Sequence, residues 1–202
     1  ATSGTLTHWF RDRFAKDLPK ATAFESLAAE AAASPPGSNG LVMLPYFSGE
    51  RTPIHDPFAK GTLLGLDLTH TRGDVYRAML EGIALGTGHV IETYRDAGAP
   101  PAKLFAVGGG TKNTVWSQTT SDVAGMPQVL REISVGASYG NAFLAAVATE
   151  SARLEDIEKW NPVVNQIEPI KQHEAIYLER LTQFKALYGS TKEIMHALGD
   201  RT

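Results

Sequence analysis

Between Gly4 and Leu18 the apolar residues Leu6, Trp9, Phe10 and Phe14 recur at helical spacing, and Pro19 stands just past the end. That pattern predicts a helix which the proline stops. Thr22 to Ala33, rich in Ala, Glu and Leu, predicts a second helix, closed by Ser34-Pro35-Pro36-Gly37. The continuous run Leu41-Val42-Met43-Leu44, bounded by Gly40 and Pro45, predicts a short buried strand. Leu63 to Leu68 is a second short apolar run. Between them Tyr46 to Gly61, interrupted by Gly49, Pro53 and Pro57, is irregular and longer than most connections; loops of that kind are often functional.

Thr71 to Ala97 predicts one long helix whose apolar face is Val75, Met79, Leu80, Ile83, Leu85 and Val90. Gly82, Gly86 and Gly88 weaken its propensity and suit close packing, and Gly98, Pro100 and Pro101 end it. There follow a strand over Lys103 to Val107, three glycines, a helix over Thr114 to Ala124, a strand over Gln128 to Leu130, and a small-residue helix over Ser138 to Glu150. The tail from Arg153 predicts a short helix, an irregular Pro162 to Pro169 segment, and a last helix over Gln172 to Tyr188 carrying Ile176, Leu178, Leu181, Phe184 and Leu187. A strand, crossover helix, strand order implies an α/β architecture with parallel pairing.

Composition narrows the partners. The 202 residues, 43% hydrophobic and 20% charged, fit one globular domain or slightly more. A net charge of −3, with the 19 Lys and Arg scattered, leaves no basic surplus for nucleic acid. With no Cys there are neither disulfides nor thiolate metal sites, and no apolar run reaches the ~18 residues that cross a bilayer. A soluble, cytoplasmic protein without membrane partners is expected.

Two stretches carry candidate chemistry. In LFAVGGGTKN, Gly108-Gly109-Gly110 lead from a strand into a helix. Glycine lets a ligand approach the main chain, and a helix N-terminus offers free N–H groups, so the turn is either a nucleotide perch or simply a tight turn. It is not a P-loop, since no Gly-Lys-Ser/Thr follows, and Asn113 occupies the third glycine's place in Gly-x-Gly-x-x-Gly. The second stretch, PYFSGERTPIHDPFAKG, gathers Glu50, Arg51, His55 and Asp56. Asp56 can serve as a general base only if it is held against a substrate hydroxyl; otherwise the loop is stapled by Glu–Arg pairing and prolines. His55 has no second ligand at metal-binding spacing. The remaining histidines are isolated surface or packing residues.

GTLLGLDLTHTRGDVYRAMLEGIA, Gly61 to Ala84, resembles the C-terminal signature of the FGGY family of carbohydrate kinases, with Gly61, Leu63, Gly65, Leu66, Asp74-Val75, Ala78-Met79-Leu80 and Glu81 at the family's spacing. PYFSGERTP and VGGGTKNTVWSQTTSDVAG resemble its flanking segments, nearest to the xylulokinase-like branch. The resemblance implies the C-terminal actin-like (ribonuclease H-like) ATPase domain of a sugar kinase, without its opening strands. Residues 1–202 are then a nucleotide-binding fragment of a two-domain enzyme. It also implies an ATP site at Gly108, Gly109, Gly110, Thr111 and Asn113, with Asn113 near the adenine. Gly4, with Thr7 or His8, would line the ribose and phosphate side. Gly61, Gly65 and Glu81 would serve packing and domain geometry.

In the same family the sugar-binding domain, the catalytic aspartate and the first phosphate loops precede the segment matched here. No catalytic residue or metal ligand is therefore expected in this chain, which alone should not phosphorylate sugar; Mg²⁺ would be held by the ATP phosphates and by residues outside it. Implied partners are ATP, a small sugar such as the ketopentose xylulose, and the N-terminal domain. A sheet edge left open would favour a homodimer. A non-catalytic regulatory module and another actin-like ATPase are the alternatives, though the Gly61 to Glu81 signature argues for the kinases.

Overall fold

The computed structural model describes residues 3–199. Helices α1 (Ser3–Phe14) and α2 (Ala23–Ala33) precede β1 (Val42–Leu44), β2 (Thr62–Leu64) and the long α3 (Arg72–Asp96). Then come β3 (Leu104–Ala106), α4 (Thr114–Ala124), β4 (Gln128–Arg131), α5 (Ala137–Ala148), α6 (Ile157–Trp160), β5 (Val163–Ile167) and α7 (Glu174–Gly199). β1 and β2 form an antiparallel pair. A second sheet has the order β3-β4-β5, with β3 and β4 parallel across the crossover helix α4 and β5 antiparallel to β4.

Alternation along one strand explains why Leu41 to Leu44 is apolar throughout. Successive side chains point to opposite faces: Leu41 and Met43 enter a core with Leu6, Phe10, Leu27 and Met79, while Val42 and Leu44 enter a second with Leu181, Phe184 and Leu187. α3 runs between these cores and is buried around nearly its whole circumference from Gly73 to Leu85, wider than one amphipathic face. Its start is fixed by a capping box: Thr71 accepts from the Asp74 N–H, and Asp74 accepts from the Thr71 N–H at 2.8 Å. Three of its glycines are there for packing, and a Cβ on Gly73 would lie 2.5 Å from the Glu30 carbonyl oxygen. A Cβ on Gly82 would lie 2.3 Å from the Met43 carbonyl oxygen, and one on Gly88 2.4 Å from Val123. Gly86 has open space instead.

Three expectations change. Pro162 to Pro169 is not irregular: Val163–Ile167 is β5, an edge strand whose exposed residues hide its pattern because β4 supplies the pairing. The first helix ends at Phe14, short of Leu18, so Pro19 is not what stops it. The last helix runs past Tyr188 to Gly199 and buries Tyr177, Leu181, Phe184, Leu187 and Met195, with Leu178 facing outward.

The signature glutamate sits at the centre of this packing. Glu81 is buried, and its carboxylate accepts from the Gly37 N–H at 3.0 Å, the Ser38 hydroxyl at 2.7 Å, Arg77 Nε at 2.8 Å and the Tyr177 hydroxyl at 2.9 Å. Burial pulls the Arg77 guanidinium down, but the hydrogen bonds it donates to Glu81 and Tyr177 outweigh it and hold it above its ordinary value. One carboxylate thus ties α3 to the 37–38 turn and to α7. Gly65, at φ +98°, abuts the Gly40 carbonyl, where a Cβ would lie 2.8 Å away.

Candidate nucleotide cleft

The strand-to-helix turn after β3 is built from its glycines for different reasons. Gly108 has φ +86°, which glycine tolerates, and donates its N–H to the Ser134 carbonyl at 2.9 Å. Gly109–Lys112 then form a 3-10 turn, and Asn113 caps α4 by accepting from the Trp116 N–H at 3.0 Å. A Cβ on Gly110 would come within 2.9 Å of the Trp116 ring, so this glycine answers the indole. A Cβ on Gly109 would meet nothing within 4 Å, and a Cβ on Gly4 likewise.

That open space belongs to a cleft of about 620 Å³ between α1, α2 and the turn, into which Gly4, Thr7, His8, Gly109, Gly110 and Asn113 all face. Gly108 does not line it. Thr111 lines an adjoining cleft on the β3 side that shares Gly4, Gly109, Gly110 and Trp116, and its hydroxyl donates to the Gly108 carbonyl at 2.8 Å. The Thr7 hydroxyl likewise donates to the Gly4 carbonyl at 2.8 Å, leaving its lone pairs as acceptors. The His8 ring stands edge-on to Phe24, with centroids 5.0 Å apart.

Phe24, Glu25, Ala28, Tyr76, Lys112, Thr114 and Trp116 complete the cleft, and the sequence alone does not mark them as its lining. Phe24 and Ala28 share one face of α2 at i, i+4, but nothing in the chain tells that face from any other amphipathic stripe. Tyr76 arrives from α3, whose burial pattern gives no sign of a cleft. Phe24, Ala28, Tyr76 and Trp116 supply apolar walls beside the polar side chains of Thr7, His8, Glu25, Lys112, Asn113 and Thr114, the mixture found in small-ligand clefts.

The Tyr46 to Gly61 loop behaves differently. Asp56 turns inward, and its carboxylate accepts from the Tyr188 hydroxyl at 2.7 Å and the Phe58 N–H at 3.0 Å, and pairs with His196 Nε2 at 2.8 Å. Burial raises its pKa, but these hydrogen bonds prevail and bring it to about 2. Asp56 is thereby a tether from the loop to α7, with its oxygens already engaged. The expected Glu–Arg staple takes another form: Glu50 accepts from the backbone N–H groups of Arg51 and Thr52, at 2.8 and 3.3 Å. Glu50, Arg51 and His55 line a separate surface cleft with Ser48 and Pro57. Among the described residues no three His, Cys, Asp or Glu converge to hold a metal ion, and no helix is long and apolar enough to cross a membrane.

An α/β domain in which a glycine turn opens onto an apolar cleft at a helix N-terminus has the form of a small-ligand site. The sequence profile of the FGGY family of carbohydrate kinases, C-terminal domain, matches residues 1–149, and the chain belongs to this family. It is 33% identical over 199 residues to a xylulose kinase of Bacillus subtilis, covering 97% of this chain and 39% of that protein. Against a glycerol kinase of Ralstonia nicotianae it is 35% identical over 154 residues, 76% of this chain and 30% of that one. Among solved structures, xylulose kinase from Rhodospirillum rubrum superposes with a TM-score of 0.85 at 34% identity, over 96% of this chain and 39% of that one. Ligand-bound xylulose kinase from Lactobacillus acidophilus gives 0.82 at 25% identity, over 94% and 38%. The chain therefore has the C-terminal actin-like fold of these kinases and spans about two fifths of the length of these xylulose kinases.

Proposed function

We propose that the cleft between α1, α2 and the Gly108–Asn113 turn holds the adenosine of ATP, and that this chain is the nucleotide-holding part of an ATP-dependent kinase acting on a ketopentose such as xylulose. The observation that carries the site is the open space over Gly109, which adjoins apolar walls and a helix N-terminus. There the main chain can approach a ligand that any side chain at Gly109 would displace. Asn113 contributes a donor: its oxygen caps α4, leaving the amide nitrogen for a ring nitrogen or ribose oxygen. Xylulose kinases among the relatives support the sugar, while the glycerol kinase match keeps the polyols as a comparison.

Phosphoryl transfer depends mainly on positioning and electrostatics, so a domain without a catalytic base can still set the rate by fixing where the phosphates lie. Under this proposal the base that takes the sugar hydroxyl proton lies outside this chain, since Asp56 is tied to Tyr188 and His196. Mg²⁺ travels with the ATP phosphates and with residues outside this chain, which alone does not phosphorylate sugar. β3 lies at the edge of its sheet, where a further strand, from the rest of the protein or from a second copy, can pair.

The test is calorimetric titration of the chain with ADP and ATP. Binding is expected, weakened about tenfold or more by Gly109→Val and weakened by Asn113→Ser, which keeps an N-cap but drops the amide. No binding by wild type, or binding indifferent to Gly109→Val, refutes the site. A sugar screen on the longer protein should show phosphorylation of xylulose ahead of glycerol; the reverse order refutes the substrate assignment.

A further inference from the structure

We infer that Glu25 accepts a hydrogen bond from the exocyclic amine of the nucleotide base, making it a specificity-determining residue of the cleft. This rests on the nucleotide reading above. The first observation is a local pattern that the fold does not use. Thr22 and Glu25 have the spacing of a capping box, in which the glutamate reaches back to the N-cap N–H. Here Thr22 has φ −113° and ψ 0°, its side chain makes no cap bond, and its N–H donates instead to the Pro19 carbonyl at 3.0 Å. The Glu25 carboxylate is therefore released from the helix end, and among the described residues it has no hydrogen-bond or ion-pair partner.

The second observation is where it stands. Glu25 lines the cleft beside Phe24 and Ala28, on the wall made by α2, and among the described residues it is the only acidic side chain lining it. A carboxylate repels phosphate, so the phosphate end of a nucleotide must lie away from α2 and its base toward α2. Once the base is there, a carboxylate can only accept, whereas Asn113, whose oxygen already accepts the Trp116 N–H, offers its amide nitrogen as a donor. An acceptor and a donor in one cleft complement a base edge presenting an amine next to a ring nitrogen. Adenine has that edge; unsubstituted purine, which keeps the ring nitrogens and lacks the amine, leaves Glu25 desolvated without a partner.

The test compares ADP with purine riboside diphosphate by titration calorimetry on the full chain. Wild type should bind ADP about tenfold more tightly, the low end for a hydrogen bond to a charged group because Glu25 is exposed. Glu25→Ala should bring the two affinities together, and Glu25→Gln, which retains a carbonyl acceptor, should keep part of the preference. A purely electrostatic role would move both ligands equally and leave their ratio intact. If ADP binds, Gly109→Val weakens it and the ratio survives Glu25→Ala, this inference falls while the nucleotide site stands. If wild type binds neither ligand, both fall together.

Discussion

Replacing Glu81 probes the signature where its role is best defined. Its carboxylate takes donors from Gly37, Ser38, Arg77 and Tyr177, and Arg77 is itself buried with only 7% of its surface exposed. Glu81→Ala leaves that guanidinium uncompensated; breaking a buried pair from one side costs about 3–5 kcal/mol. Arg77 keeps the carbonyls of Ala31 and Ser34 as acceptors, which places the expected loss near the middle, about 4 kcal/mol. Glu81→Gln preserves one acceptor oxygen and the shape but exchanges charge-assisted hydrogen bonds for neutral ones, a loss of about 2 kcal/mol. Urea denaturation of the three proteins reads these differences, and a cycle with Arg77→Met should return a coupling of about 2–3 kcal/mol. Glu81 does not line the nucleotide cleft, so ADP affinity of the folded variants should match wild type. A Glu81→Gln protein as stable as wild type, or a folded Glu81 variant that loses ADP binding, would refute this account.

Other outcomes follow from the same packing. Gly109→Ala should leave stability within about 0.5 kcal/mol of wild type while weakening nucleotide binding, whereas Gly110→Ala, whose Cβ meets Trp116 at 2.9 Å, should cost about 1–3 kcal/mol and shift the indole fluorescence. Gly82→Ala drives a methyl to 2.3 Å from the Met43 carbonyl, so thermal unfolding should move down by several degrees. Asp56, ordinarily near 3.9, is held at about 2 in the fold, so its stabilisation is complete above about pH 4 and fades as pH falls toward 2; Asp56→Asn should flatten that part of the acid-unfolding curve. Removing residues 174–202 takes Leu181, Phe184, Leu187 and Met195 out of the second core, at about 1.5–3 kcal/mol each, which equals a whole domain's stability; circular dichroism should show an unfolded or aggregated product.

Much of this architecture is legible in the residues. Period and punctuation place α3 between Thr71 and Ala97, and the β3-α4-β4 crossover appears as an apolar run, a glycine turn and a capped helix. β5 is not legible, because an exposed edge strand draws its order from β4's hydrogen bonds and needs no apolar alternation of its own. The glycine turn could be located but not apportioned: only packing shows that Gly110 accommodates Trp116 while Gly109 stays open. Asp56 has the residue type of a general base, and its inward turn depends on Tyr188 and His196, 132 and 140 positions away. Phe24, Glu25 and Tyr76 reach the cleft through contacts between helices distant in sequence, for which one chain carries no local signal.

The nucleotide cleft is tested most directly by an amide NMR titration of the chain with ADP. Saturable shifts are predicted at Gly4, Gly109, Gly110, Asn113 and Trp116, with the Ser48 to Pro57 loop unmoved. Shifts confined to that loop, or none at saturating ADP, would contradict the assignment.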